Sequence, residues 1–259
     1  MKEVINIKPI ELLDEIKSVC DALWDDFCED NGYEWADRFI DRLSCEICVS
    51  SGASKLVIIP KHENFVLKIP FFGRTTEEWV ENADYTLKSD DPNFDWDEAG
   101  RYEYTFTKFE WAAVREGDDR WDYCAAETSI YEMAIEEGLE SYFAAEYLLG
   151  FIDETPVYVQ DKVCPCEEAS ISPYRSLNSE ENKVYRRYLS QSSPAQNHFP
   201  ANWSMQFIKV YGEDELTRLI NFLNNHRINT DWHAGNLAYI EDDPQFPVPI
   251  LLDYSNYND

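Results

Sequence analysis

The chain has 259 residues, of which 44% are hydrophobic and 15% aromatic, and its 51 acidic against 22 basic side chains give a formal charge of −29. That length buries one good core or two small lobes, and the aromatic content belongs to a folded protein rather than a solvated acidic tail. The charge excludes nucleic acid as a direct ligand, since phosphates are repelled; no apolar run nears the ~20 residues that span a bilayer; a basic protein is the macromolecular partner such a surface suits.

In chain order, residues 1–43 read as a helical N-terminal extension, because Ile10, Leu13, Ile16, Val19, Cys20 and Leu23 recur at helical spacing. The expected packing partner is the set of strands that follows. Ser44–Val49 and Lys55–Pro60 are β-prone runs around the small-residue turn Ser50–Ser54, which predicts a hairpin. A third run, Phe65–Pro70, carries Lys68 inside an otherwise apolar strand. A buried ammonium costs free energy unless an anion or a carboxylate meets it, so this lysine requires a partner. Residues 71–121 form an acidic, aromatic insertion.

Ala125–Gly138 is rich in helix formers, follows the N-cap candidate Asp122 and stops at a glycine. Glu127, Ile130, Met133 and Ala134 share one side, so Glu127 is expected to face inward, with Glu132 as the alternative. Glu146–Phe151 and Pro156–Val163 then read as two antiparallel strands that complete a five-stranded sheet. The stretch Gln160–Val163 leads on to residues 164–259. Ser, Pro and Asn dominate 164–202, which predicts loops with at most one short helix and a basic patch at Arg186 and Arg187. Leu216, Leu219, Ile220 and Leu223 give the next helix one apolar face, and Asn224–Arg227 closes it.

The seven cysteines are an odd number without a leader segment, which points to a reducing, cytoplasmic setting. Cys45 and Cys48 fall on opposite faces of the expected first strand, so that pair is not expected to join Cys164 and Cys166 in a zinc site.

The densest polar pattern lies near the C-terminus. Thr230-Asp231-Trp232-His233-Ala234-Gly235-Asn236 runs into Leu237–Ile240 and, after an acidic turn, into Pro249–Leu252 and Asp253. The two apolar runs are long enough for a two-stranded hairpin that brings Asn236 and Asp253 to the same end. An amide oxygen and a carboxylate suit magnesium, which takes hard oxygen ligands and keeps several waters. Asp231, outside that ligand pair, suits a base that orients an incoming hydroxyl. Alone, the same residues also describe an ordinary polar turn after a helix.

Taken in order, the hairpin, the Lys68 strand, the Glu127 helix, the connection at Gln160–Val163, the buried helix, Asp231 with Asn236, and Asp253 resemble the protein-kinase-like superfamily over roughly residues 40–255. The loop wording is closest to the aminoglycoside and small-molecule kinase branch, whose loop typically reads Asp-x-His-x-x-Asn. The resemblance implies an α+β, two-lobed fold: an N-lobe over 44–163 with a five-stranded antiparallel sheet and the insertion 71–121, and a reduced helical C-lobe over 164–259. It implies ATP and Mg2+ as cofactors and transfer of a phosphoryl group to a protein or small-molecule hydroxyl.

Asp231 would then be the base, Lys68 the phosphate-contacting lysine and Glu127 its carboxylate partner. Asn236 and Asp253 would hold the metal, His233 would brace the loop, and Ser51, Gly52 and Ser54 would offer phosphate donors. Gln160 and Lys162 would lie in the hinge that meets the adenine. The departures concern the acceptor: Thr230 stands where protein kinases commonly have Arg, Tyr254-Ser255 replaces Phe-Gly, and six residues follow Asp253. The acceptor site is therefore expected from the insertion, the 164–202 loops or a second chain. With so little C-lobe, the apolar face around Leu219 and Leu223 is expected to be covered by the 1–43 extension or by self-association. A catalytically inactive kinase-like (pseudokinase) protein that binds a basic partner is the rival reading, and nucleotidyl transfer on the same metal ligands is a third.

Overall fold

The computed structural model describes residues 7–29, 41–51, 55–70, 123–152, 155–191, 199–228, 232–240 and 247–254. Among them the chain is α+β, and it divides into two compact units, Met1–Cys124 with Tyr147–Gln160, and Ala125–Glu146 with Asp161–Asp259. The chain passes from the first unit to the second at Gln160/Asp161, and residues 125–146 belong to the second.

Among the described residues, the first unit is a five-stranded antiparallel sheet with helix α1 packed on it. Strands β1 (Ile47–Ser51), β2 (Lys55–Pro60), β3 (Phe65–Pro70), β4 (Glu146–Ile152) and β5 (Thr155–Asp161) lie in the order β1-β2-β3-β5-β4. The first strand begins at Ile47, not Ser44; β2 and β3 keep the bounds expected of them. Register pairs Ile58 with Leu67 and Leu56 with Ile69, so these four share a face. They join Leu12, Leu13, Ile16 and Val19 of α1 (Pro9–Glu29) in one core, with Val157 and Ile152. Ile10, counted in the predicted stripe, is 47% exposed; Leu12 takes its place in the core. Helix α1 thus buries this face on the sheet of its own unit.

The second unit is mainly helical: α2 (Tyr123–Glu136, from Ala125 on), α3 (Ser179–Gln191), α4 (Ala201–Tyr211) and α5 (Glu213–Asn225), with a small sheet β6 (Cys164–Pro165), β7 (Leu237–Ile240) and β8 (Val248–Leu251) in that order. Helix α2 ends on the Gly138 that marked it, at φ +66°. The amide of Leu139 reaches back to the Ala134 carbonyl and that of Gly138 to Ile135, the paired bonds of a left-handed helix stop. Helix α5 ends the same way on Arg227, at φ +55°, with Ile228 bonded to Leu223.

Among the described residues, α3 is the one helix that lies within 164–202, where loops and at most one short helix were expected, and α4 begins only at Ala201. Helix α4 supplies Trp203 and Phe207, both fully buried, and these join Leu216, Leu219 and Leu223 of α5 with Ile130 and Ala134 of α2 in a single core. The apolar face of α5 is thus covered inside its own unit, and the ground for expecting a second chain over it falls away.

Helix α3 opens with a capping box. The Asn178 side-chain oxygen accepts the amide of Glu181 at 3.0 Å, and the Glu181 carboxylate accepts the amide of Asn178 at 2.9 Å. The same carboxylate accepts from Arg175 at 3.0 Å and Lys209 at 2.8 Å. Burial alone would raise its pKa; the Lys209 ammonium, the Asn178 amide and the Arg175 guanidinium outweigh that and hold it down at about 2. Because the folded value lies below the ordinary carboxylate value of 4.5, the contribution of Glu181 to stability is complete above that value and is lost as pH falls toward 2. Urea unfolding of the second unit between these pH values should therefore weaken with acid in the wild type and respond less in Glu181→Gln; parallel pH profiles for the two proteins would refute the assignment.

Candidate functional site

The β7–β8 hairpin fixes the polar pair read from the sequence. Register sets Leu237 opposite Leu251 and Tyr239 opposite Pro249. Just beyond the paired residues, the Asn236 carbonyl accepts the amides of Leu252 at 3.1 Å and Asp253 at 3.2 Å. Asn236 and Asp253 therefore leave the same end of the hairpin, the first 5% exposed and the second half-buried. The third strand, β6, was not foreseen; it pairs with β7, and the Cys166 amide bonded to the Leu237 carbonyl secures the start of β7.

The loop ahead of Asn236 is held from both sides. Trp232 is buried against Phe199, centroids 4.7 Å apart, and Phe199 in turn lies 4.6 Å from Trp203. His233 accepts the Gly235 amide on Nδ1 at 3.0 Å, and its carbonyl accepts the Asn236 amide at 3.1 Å. The Tyr174 hydroxyl accepts the Ala234 amide at 3.1 Å. A Cβ on Gly235 would come within 2.8 Å of the His233 ring, so a larger residue there must displace the ring and break this brace. The His233 contacts lie within its own turn. Tyr174, nearly sixty residues upstream, carried no sequence signal for this contact.

Glu127 is fully buried, on the inward side of α2 with Ile130 and Ala134, while Glu132 is exposed. Its neighbour is Glu146, also fully buried, with carboxylate oxygens within 4.8 Å. Tyr254, directly after Asp253, is fully buried and donates its hydroxyl to the Ala144 carbonyl at 2.7 Å. Burial, then the charges of Glu146 and Glu127, with Tyr131 and Asp253 adding, push its ionisation well above the ordinary value. One acidic neighbourhood in the second unit thus holds Glu127, Glu146 and the Asp253 turn around a neutral tyrosine. Glu146 was passed over in the sequence because it reads only as the polar first residue of a strand.

In the first unit, Lys68 is 3% exposed and Gln160 1%. Lys162 belongs to the second unit and is half-buried. Ser51 is the last residue of β1; Gly52, Ser54, Asp231 and the insertion 71–121 lie outside the described residues. Comparison with models of protein families, with curated proteins and with solved structures finds no match.

Proposed function

We propose that the chain is an ATP- and Mg2+-dependent phosphotransferase of the protein-kinase-like kind, with two lobes and a protein or small-molecule hydroxyl as acceptor. The observation that carries this reading is the hairpin end, where the Asn236 carbonyl holds the amides of Leu252 and Asp253 and so keeps the backbones of Asn236 and Asp253 side by side. One buried and one half-buried oxygen donor suit an ion that keeps part of its water shell and bridges phosphate oxygens, which is how magnesium serves ATP. When bound, the ion would neutralise charge on the polyphosphate. The protein's own residues do the rest: Lys68 contacts phosphate, the braced loop from Trp232 to Asn236 fixes the approach of the acceptor, and Asp231, next to the anchored Trp232, orients the hydroxyl and takes its proton.

Calorimetric titration with ATP, with and without magnesium, tests the reading. Binding that depends on magnesium and is lost in Asp253→Asn and Lys68→Met is the expected result. A folded wild-type protein that shows no magnesium-dependent binding at about millimolar nucleotide, a concentration in the ordinary range for such substrates, would end the enzyme reading.

A further inference from the structure

Asp253 lies in a short turn whose two ends meet one and the same residue. Before the turn, the carbonyl of Leu251, the last residue of β8, accepts the amide of Ala144 at 2.8 Å. After it, the hydroxyl of Tyr254 donates to the carbonyl of Ala144 at 2.7 Å. Leu252 and Asp253 fill the interval between these anchors, and the Asn236 carbonyl takes the amides of both. Ala144 thus grips the turn at its two ends while Asn236 holds its middle. The gripping residue is itself fixed: Ala144 is fully buried, and the ring of its neighbour Phe143 lies 5.0 Å from that of Tyr254 and 5.8 Å from that of Phe222. Filling this part of the core needs only the apolar ring of Tyr254, which has no exposed surface. Its hydroxyl adds a directed bond, and a buried hydroxyl is tolerated only where such a bond is made.

From this geometry we infer that Tyr254 is a positioning residue for Asp253, whose hydroxyl fixes the downstream end of the turn so that the carboxylate meets a divalent cation already in place. Without that bond the chain after Asp253 is held by ring packing, and the turn gains freedom that the ion would have to remove on binding. The inference rests on the nucleotide reading for what the carboxylate binds, and not for how the turn is held.

The test uses the full chain, with Tyr254→Phe to delete the hydroxyl and Tyr142→Phe as a matched control. Tyr142 is also a buried member of this core, but it donates its hydroxyl to Glu215 of α5 rather than to the turn's anchor. Hydrogen exchange of the Leu252 and Asp253 amides should quicken by about 2- to 12-fold in Tyr254→Phe, the range for one net hydrogen bond, and stay unchanged in Tyr142→Phe. Titration with Mn2+, an octahedral oxygen-seeking ion that stands in for magnesium, should show a like loss of metal affinity in the presence of ATP for Tyr254→Phe alone. Exchange that is unchanged in Tyr254→Phe, or that quickens equally in both variants, would overturn the inference and leave the nucleotide reading standing. Quicker exchange with unaltered Mn2+ affinity would overturn it as well, since the hydroxyl would then hold the chain without serving Asp253. Quicker exchange in Tyr254→Phe, in a protein whose wild type binds no Mn2+ with ATP, would uphold Tyr254 as the anchor of the turn and remove the nucleotide reading. Should Tyr254→Phe fail to fold, the wild type serves instead: its Ala144, Leu252 and Asp253 amides should share one level of protection, and an Asp253 amide that exchanges much faster than that of Ala144 would overturn the inference.

Discussion

Asp231→Asn should leave magnesium-dependent ATP binding unchanged while lowering turnover by about 10²–10⁴-fold, the usual contribution of a positioned general base. The separation follows from the division of labour at the hairpin. In the proposed reading the metal ligands are Asn236 and Asp253, so replacing one carboxylate oxygen of Asp231 by an amide would remove no bond to the nucleotide. The loop stays anchored through Trp232 against Phe199 and through the His233 contacts. A binding titration beside a single-turnover assay of ADP formation measures both quantities. Equal loss of binding and turnover would make Asp231 a metal ligand or a structural residue, and the mechanism would have to be redrawn.

Truncation at the centre of the second unit should have the largest effect on stability. Trp203→Ala is expected to cost about 3–5 kcal/mol, the range for removing a fully buried large aromatic side chain. Its ring lies 4.6 Å from Phe199 and 5.4 Å from Phe207, with no exposed surface. Among the described residues no acceptor meets its indole N–H, and an unmet buried donor contributes nothing in return for its desolvation. Trp203→Phe removes the unmet donor with only part of the ring volume and should therefore cost less than Trp203→Ala. Hydrogen exchange of the α4 and α5 amides in denaturant reads the second unit directly; equal losses in the two variants would show that the indole nitrogen matters to the fold.

Period and punctuation carried most of what the sequence disclosed. Strands β2 and β3 were legible because each is a short apolar run bounded by turn residues, and the inward Glu127 because it shares a side of α2 with Ile130 and Ala134. The hairpin end was legible because strand geometry alone brings Asn236 and Asp253 together. Composition misled where tertiary contacts decide. Residues 164–202 look like loops by their Ser, Pro and Asn content, yet Asn202 is fully buried, accepting from Arg175 at 2.9 Å and donating to the Ser172 carbonyl at 2.7 Å. Asn178 and Glu181 carried the capping-box spacing in plain view, and that signal would have found α3. Helix α5 ends on Arg227 in a left-handed conformation that favours glycine, so its stop had to be inferred from the run of polar residues.

The register of β2 with β3 makes the sheet a frame in which neighbouring residues serve opposite ends. Along β3, Leu67 and Ile69 hold the fold while Lys68, between them, faces the proposed ligand. Deleting or inserting one residue in the turn between β2 and β3 would turn every side chain of β3 to the other side. The ammonium of Lys68 would then point at Leu13 and Ile16 of α1, and two aliphatic side chains would replace it on the opposite face. A single-residue indel at this turn should thus disable ligand binding and folding together, whereas a point substitution can affect either one alone.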